Sequence, residues 1–148
     1  MPGTRKADAA RKLAVVVILM SFAGVAVGQT PAATTGPLPY VPPTSGAAMY
    51  AEYCASCHGK DGKGDGPVAP ALKTRLPDLT LLAKRNRGRF PDGNIYQVIK
   101  WGGGIIGHGS KEMPVWGKAF LPVSGQDEKQ VILRIKTLVN YIASLQVK

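Results

Sequence analysis

The chain has 148 residues, with 19 Lys and Arg against 9 Asp and Glu and a formal net charge of +10. That length holds one domain of ordinary size and excludes two. The basic excess points to acidic proteins or anionic lipid head groups as partners and away from basic ones.

The N-terminal segment stands apart. Arg5, Lys6, Arg11 and Lys12 give it a basic start, residues 13–27 carry no charge, and Ala26-Val27-Gly28 supplies small residues at cleavage spacing. Residues 1–28 therefore read as an export signal. The uncharged run is short of the roughly 20 apolar residues a membrane span needs, so cleavage is expected, with a retained N-terminal anchor as the alternative. Because no Cys precedes Cys54, a lipid-modified N-terminal Cys is not available. Export places the protein in the periplasm, as a soluble or inner-membrane-anchored chain, and removes it from nucleic acid. Cleavage after Gly28 leaves 15 Lys and Arg and 8 Asp and Glu, a net charge of +7.

Residues 29–45 read as a linker, since Pro31, Pro37, Pro39, Pro42 and Pro43 sit there among Thr, Ala and Gly. The folded domain is then 46–148, about 100 residues. A first helix is predicted from the N-cap Ser45 to about Tyr53, with Gly46, Tyr50 and Cys54 on one face at steps of four. A short helix follows Pro77-Asp78, turns Leu79, Leu82 and Ala83 inward, and ends near Asn86-Arg87-Gly88. Another begins at Asp92 after Pro91, carries Ile95, Val98 and Ile99 inward, and stops at glycines 102–104.

The last helix has the strongest pattern. Ser124 and Asp127 form a capping-box variant, and Asp127 and Glu128 suit the positive end of the helix dipole. Val131, Ile135, Leu138, Ile142 and Leu145 recur at steps of four and three, widened by Ile132, Leu133 and Val139. No segment alternates, so the expected class is all-α: about four short helices joined by long loops, among them the glycine-rich 59–66 and 102–109. Such a core is thin for its length, and a large, flat, apolar cofactor would complete it.

Cys54-Ala55-Ser56-Cys57-His58 supplies a place for one. A two-residue gap on a helical turn sets two thiols at about the separation of the haem vinyl groups, for two thioether bonds. The next residue, His58, then falls beneath the iron as proximal ligand. A zinc site needs four ligands, and the chain offers only Cys54, Cys57, His58 and His108. Disulfide exchange would need a thioredoxin-like βαβ context that is not seen. The expected cofactor is one covalent haem c, its iron cycling between Fe2+ and Fe3+.

A low-spin haem needs a second axial ligand. Met1 and Met20 leave with the signal, and Met49 precedes Cys54 by five residues on the proximal side. Met113, 55 residues after His58 and stiffened by Pro114, remains. Its soft thioether favours the ferrous state and raises the potential. His108, five residues earlier between Gly107 and Gly109, is the rival ligand. Lys84, Arg85, Arg87 and Arg89 crowd into six positions, either as a solvated run or for propionate pairing or partner docking. Trp101 and Trp116 are candidates for the haem edge.

Over 46–148 these residues resemble the class I monohaem cytochrome c family. The resemblance is carried by Cys54-Ala-Ser-Cys57-His58-Gly59, the glycines up to Gly66, Met113-Pro114 and the ending Leu138-Val-Asn-Tyr141-Ile142. In style the chain looks most like bacterial monohaem proteins related to the small cytochrome subunits of haem–copper oxidases. The resemblance implies first and last helices crossing, with Gly46 and Tyr50 against Leu138 and Tyr141. It also implies a Pro carbonyl accepting from the proximal His; Pro70 is the carry-over and Pro67 the alternative.

The expected function is one-electron transfer between periplasmic redox partners with acidic docking surfaces, by a chain that is a monomer when free and not an enzyme. The alternative is a haem c subunit feeding electrons into a dehydrogenase or terminal oxidase complex. A sensor or peroxidase would need an open sixth position, which Met113 fills.

Overall fold

Helix caps set out the architecture in a computed structural model that describes residues 36–103 and 112–147. Helix α1 (Gly46–Tyr53) starts where Ser45 Oγ accepts from the Ala48 N–H. One turn, α2 (Ala55–His58), follows after a break at Cys54. A 3-10 turn (Leu79–Leu81), capped by Asp78 through the Thr80 N–H, leads into α3 (Leu82–Arg85). Then come α4 (Asp92–Trp101), α5 (Trp116–Ala119) and α6 (Glu128–Ser144). No strand occurs among the described residues, and the class is all-α as expected. The segment Thr35–Lys148 makes one compact unit, while Met1–Thr34, with the expected signal, lies outside the described residues.

Helix α6 is the keel. Its cap is Asp127, whose side chain accepts from the Lys129 N–H at 2.8 Å. Ser124 does not cap; its hydroxyl accepts from Arg134 Nε at 3.1 Å. Val131, Ile135, Leu138, Val139 and Ile142 are buried along one face, whereas Leu133 is exposed. Fully burying such side chains stabilises by about 1.5–3 kcal/mol each, so this stripe dominates the packing.

The α1–α6 crossing is close. A Cβ on Gly46 would sit 2.8 Å from the Thr137 carbonyl oxygen and 2.8 Å from Tyr141 Cβ, so only glycine fits. Tyr50 stacks at a tilt on Tyr141, with ring centroids 5.2 Å apart. Leu138 lies in the same buried cluster. The contacts implied for Gly46, Tyr50 and Tyr141 are therefore made.

Two features depart from the sequence expectation. The stretch read as linker is in part strapped to the fold. Leu38 and Val41 pack on the core, and Tyr53 Oη donates to the Pro39 carbonyl at 2.6 Å. The ordered domain thus reaches N-terminal of Gly46. The second is Arg134, 1% exposed on the buried side of α6. Its guanidinium donates to the carbonyls of Val41 and Val123 and to Ser124 Oγ, and lies against the rings of Tyr40 and Phe120. Neutral oxygens and aromatic faces solvate the charge that burial would otherwise penalise.

Helix α5, which the sequence did not suggest, adds Trp116 and Phe120 to an aromatic cluster with Tyr53 at centroid separations of 5.1–5.7 Å. At its far end, α6 ties down α3. Gln146 Nε2 donates to the Leu79 carbonyl, Gln146 Oε1 accepts from the Ala83 N–H, and the Val147 N–H reaches the Thr80 carbonyl.

Candidate functional site

The Cys-motif is held by the loop that follows it. The amides of Gly64, Gly66 and Val68 donate to the carbonyls of His58, Cys57 and Ser56 at 2.8–3.1 Å. Tyr50 Oη donates to the Gly59 carbonyl at 2.9 Å, which fixes α1 to the end of α2. Backbone groups at the end of this short helix are thereby satisfied, and the turn is rigid without a long helix to support it.

A cavity of about 460 Å³ opens beside the motif. Cys54 and His58 line it from α1 and α2, and Met113 lines it from the loop before α5. Leu76, Leu79, Leu82, Ile95, Val98 and Ile142 make its walls apolar. Cys54 and His58 thus converge with Met113, 55 residues after His58, at one apolar volume in the range of cofactor sites. Thr74, Arg75 and Asn94 are its polar edge, and sequence reasoning did not single them out. Arg75 had a signal, a cation two residues before Pro77, but the denser charge at 84–89 drew attention from it.

Both cysteines are free thiols. Desolvation, with Cys57 close by, pushes Cys54 up to about 12. A thiol so held is protonated and is no disulfide-exchange nucleophile. Desolvation also holds the His58 imidazole below its ordinary value, which favours the neutral form that ligates metals. His58 Nδ1 is buried without a hydrogen-bond partner. The hydrogen bond expected from Nδ1 to the Pro70 carbonyl is therefore not formed; Pro70 lies in an exposed 3-10 turn (Ala69–Ala71). A ring nitrogen left without a partner on a histidine that lines the cavity is one that a metal-bound imidazole would pair with an acceptor. These donors fit a haem: the Cys54 thiol, a neutral imidazole and a thioether line an apolar slot, and Cys57, on the same turn as His58, stands next to it without lining it.

Met49 does not compete for that slot. It is fully buried in the core, and its sulfur accepts from Arg134 Nη1 at 3.7 Å. The rival His108 falls outside the described residues. The four basic residues at 84–89 are exposed and none lines the cavity. Neither does Trp101, half exposed with its indole N–H on Gln97 Oε1, nor Trp116, buried in the aromatic cluster. The haem-edge expectation for both tryptophans is thus corrected. Among the described residues no group of three or more Cys, His, Asp and Glu could hold a bare metal ion.

Residues 41–123 match the family model described as cytochrome C oxidase, cbb3-type, subunit III. The chain belongs to that family. The match runs from the Val41 strap through α5 and stops before α6. Comparison with curated proteins gives no match. As a cytochrome c domain of the cbb3-type subunit III family, the protein carries covalently bound haem c with iron, and its role is electron transfer. None of its described helices is long and apolar enough to cross a membrane.

Proposed function

We propose that this cytochrome is a one-electron carrier of the periplasm. Cys54 and Cys57 would hold the haem through thioethers, and His58 and Met113 would ligate its iron. The convergence of Cys54, His58 and Met113 on one apolar cavity carries this reading. The haem iron supplies the redox chemistry, cycling between Fe2+ and Fe3+. The chain's residues do the rest. Apolar walls exclude water, the thioether of Met113 would favour the reduced state, and ligation by both His58 and Met113 would leave no position for a substrate. His58 Nδ1 would carry the proton when Nε2 ligates, with the Pro70 or Pro67 carbonyl as its acceptor.

Partner choice follows from charge. Leu82 lines the cavity, and Lys84, Arg85, Arg87 and Arg89 stand exposed just beyond it. Arg85 Nη1 turns back to the Asp78 carbonyl at 3.1 Å, which keeps it beside the cavity wall. A basic rim of this kind steers acidic partners toward the cofactor. The family's description favours a second reading, in which the domain serves as a subunit of a membrane oxidase. Export, with a mature chain beginning near Gln29, completes the proposal; retention of residues 1–28 would anchor the domain instead.

Haem staining on denaturing gels tests the attachment: C54A/C57A should lose all gel-stable haem, and its retention would sink the assignment. M113A should lose the weak far-red sulfur-to-iron band and lower the potential. If H108A loses the native low-spin spectrum and M113A keeps it, the sixth ligand is His108.

A further inference from the structure

Among the described residues, 112–115 carry no helix before α5 begins at Trp116. Two tertiary contacts bear on the Met113 backbone. On one side Glu112 Oε1 accepts from the Lys73 backbone N–H at 2.8 Å, a link across 39 residues. Lys73 directly precedes 74–77, which lines the same cavity as Met113. On the other side lies Gly102, the C-cap of α4 at φ +80°. A Cβ there would stand 3.0 Å from the Met113 carbonyl oxygen and 3.3 Å from Val115 Cγ2. The Met113 backbone is thus held between the end of α4 and the 73–77 wall.

These two contacts differ in kind. The Gly102 approach is steric and limits how far Met113 can move inward. The Glu112 bond is directional and charge-assisted, though made at an exposed site where water competes for both groups.

We propose that Glu112 is a positioning residue, a latch that fastens the Met113 segment to the 73–77 wall and keeps the distal side of the haem closed to exogenous ligands. The latch rests on Met113 being the sixth ligand. Closing it separates an electron carrier from a haem that binds gases: the same cavity with the segment free would offer an open position. An exposed charge-assisted hydrogen bond shifts the ratio of closed to open segment by several-fold, up to about 10-fold.

The test uses the holoprotein. Carbon monoxide binds the ferrous form only when Met113 is off the metal, so its association rate reports the open fraction. E112A should bind it several-fold, up to about 10-fold, faster than wild type. The same variant should keep the far-red band at room temperature and exchange the Lys73 amide proton faster. E112Q retains the acceptor oxygen without the charge and should lie between wild type and E112A. Wild-type rates in E112A, with unchanged Lys73 exchange, overturn the latch. If E112A fails to hold its fold, the wild-type holoprotein decides: a Lys73 amide that exchanges as fast as an unbonded exposed amide overturns it. Failure of the ligand reading is separate, because the wild type would then show no far-red band and M113A would keep its native low-spin spectrum.

Discussion

Replacing Gly46 with Ala and Gly93 with Ala should move stability in opposite directions. Both glycines lie in the first turn of a helix, α1 and α4 respectively. Alanine in a helix is favoured over glycine by up to about 1 kcal/mol, so propensity alone would make both changes stabilising. At Gly93 nothing lies within 4 Å of the added methyl, and the gain should appear in full or in part. At Gly46 the methyl meets the Thr137 carbonyl oxygen and Tyr141 Cβ, each at 2.8 Å. Ordinary contact begins near 3.4 Å, so α1 must back away from α6 by about 0.6 Å. Neither neighbour can yield by rotating a side chain, because one atom is backbone and the other is a Cβ. Overpacking of this kind costs about 1–3 kcal/mol. It outweighs propensity and leaves a net loss of about 1–2 kcal/mol. For a domain of this size the melting temperature should fall by about 5–15 °C. Thermal unfolding of the two holoproteins, followed by far-ultraviolet circular dichroism, measures it. A G46A melt at or above the wild-type value would refute the close crossing.

Charge reversal at Lys84 and Arg85 should slow electron transfer with an acidic partner and flatten its salt dependence, because screening acts over about 8 Å at physiological ionic strength. The potential should stay put, since both side chains are exposed and off the cavity wall. R75Q, on that wall, should shift it; the reverse pattern would assign the propionates to 84–89. R134L should cost about 2–4 kcal/mol by leaving the Val41 and Val123 carbonyls without their donor, read as a lower urea midpoint. It should also free residues 38–45 to proteases, and an unchanged cleavage pattern would show that the strap holds without Arg134.

Elements with local chemistry were legible in the sequence. Ser45 caps α1 as its sequence suggests, and the α6 stripe repeats long enough to fix its buried face, although its cap falls on Asp127 and not on Ser124. Helix α5 was not, because four residues are too few for a periodicity. The strap was missed because proline-rich composition describes a free chain, whereas Leu38 and Val41 are held by partners on α1 and α6. Arg134 reads as surface by type; its acceptors lie 93, 11 and 10 residues away, so nothing local announces its burial. At the site, the Cys-motif names its own chemistry, and elimination singled out Met113. The polar edge of Thr74, Arg75 and Asn94 exists only once the loops are folded.

The elevated Cys54 thiol bears on how the cytochrome is made. Thioether formation needs the thiolate as nucleophile. Burial, with Cys57 close by, raises the Cys54 thiol well above its ordinary value, so the thiolate is scarce once the chain has closed. The motif should therefore react more readily while Tyr50 and α6 have yet to shut around it, and a variant that folds before attachment should accumulate as colourless protein.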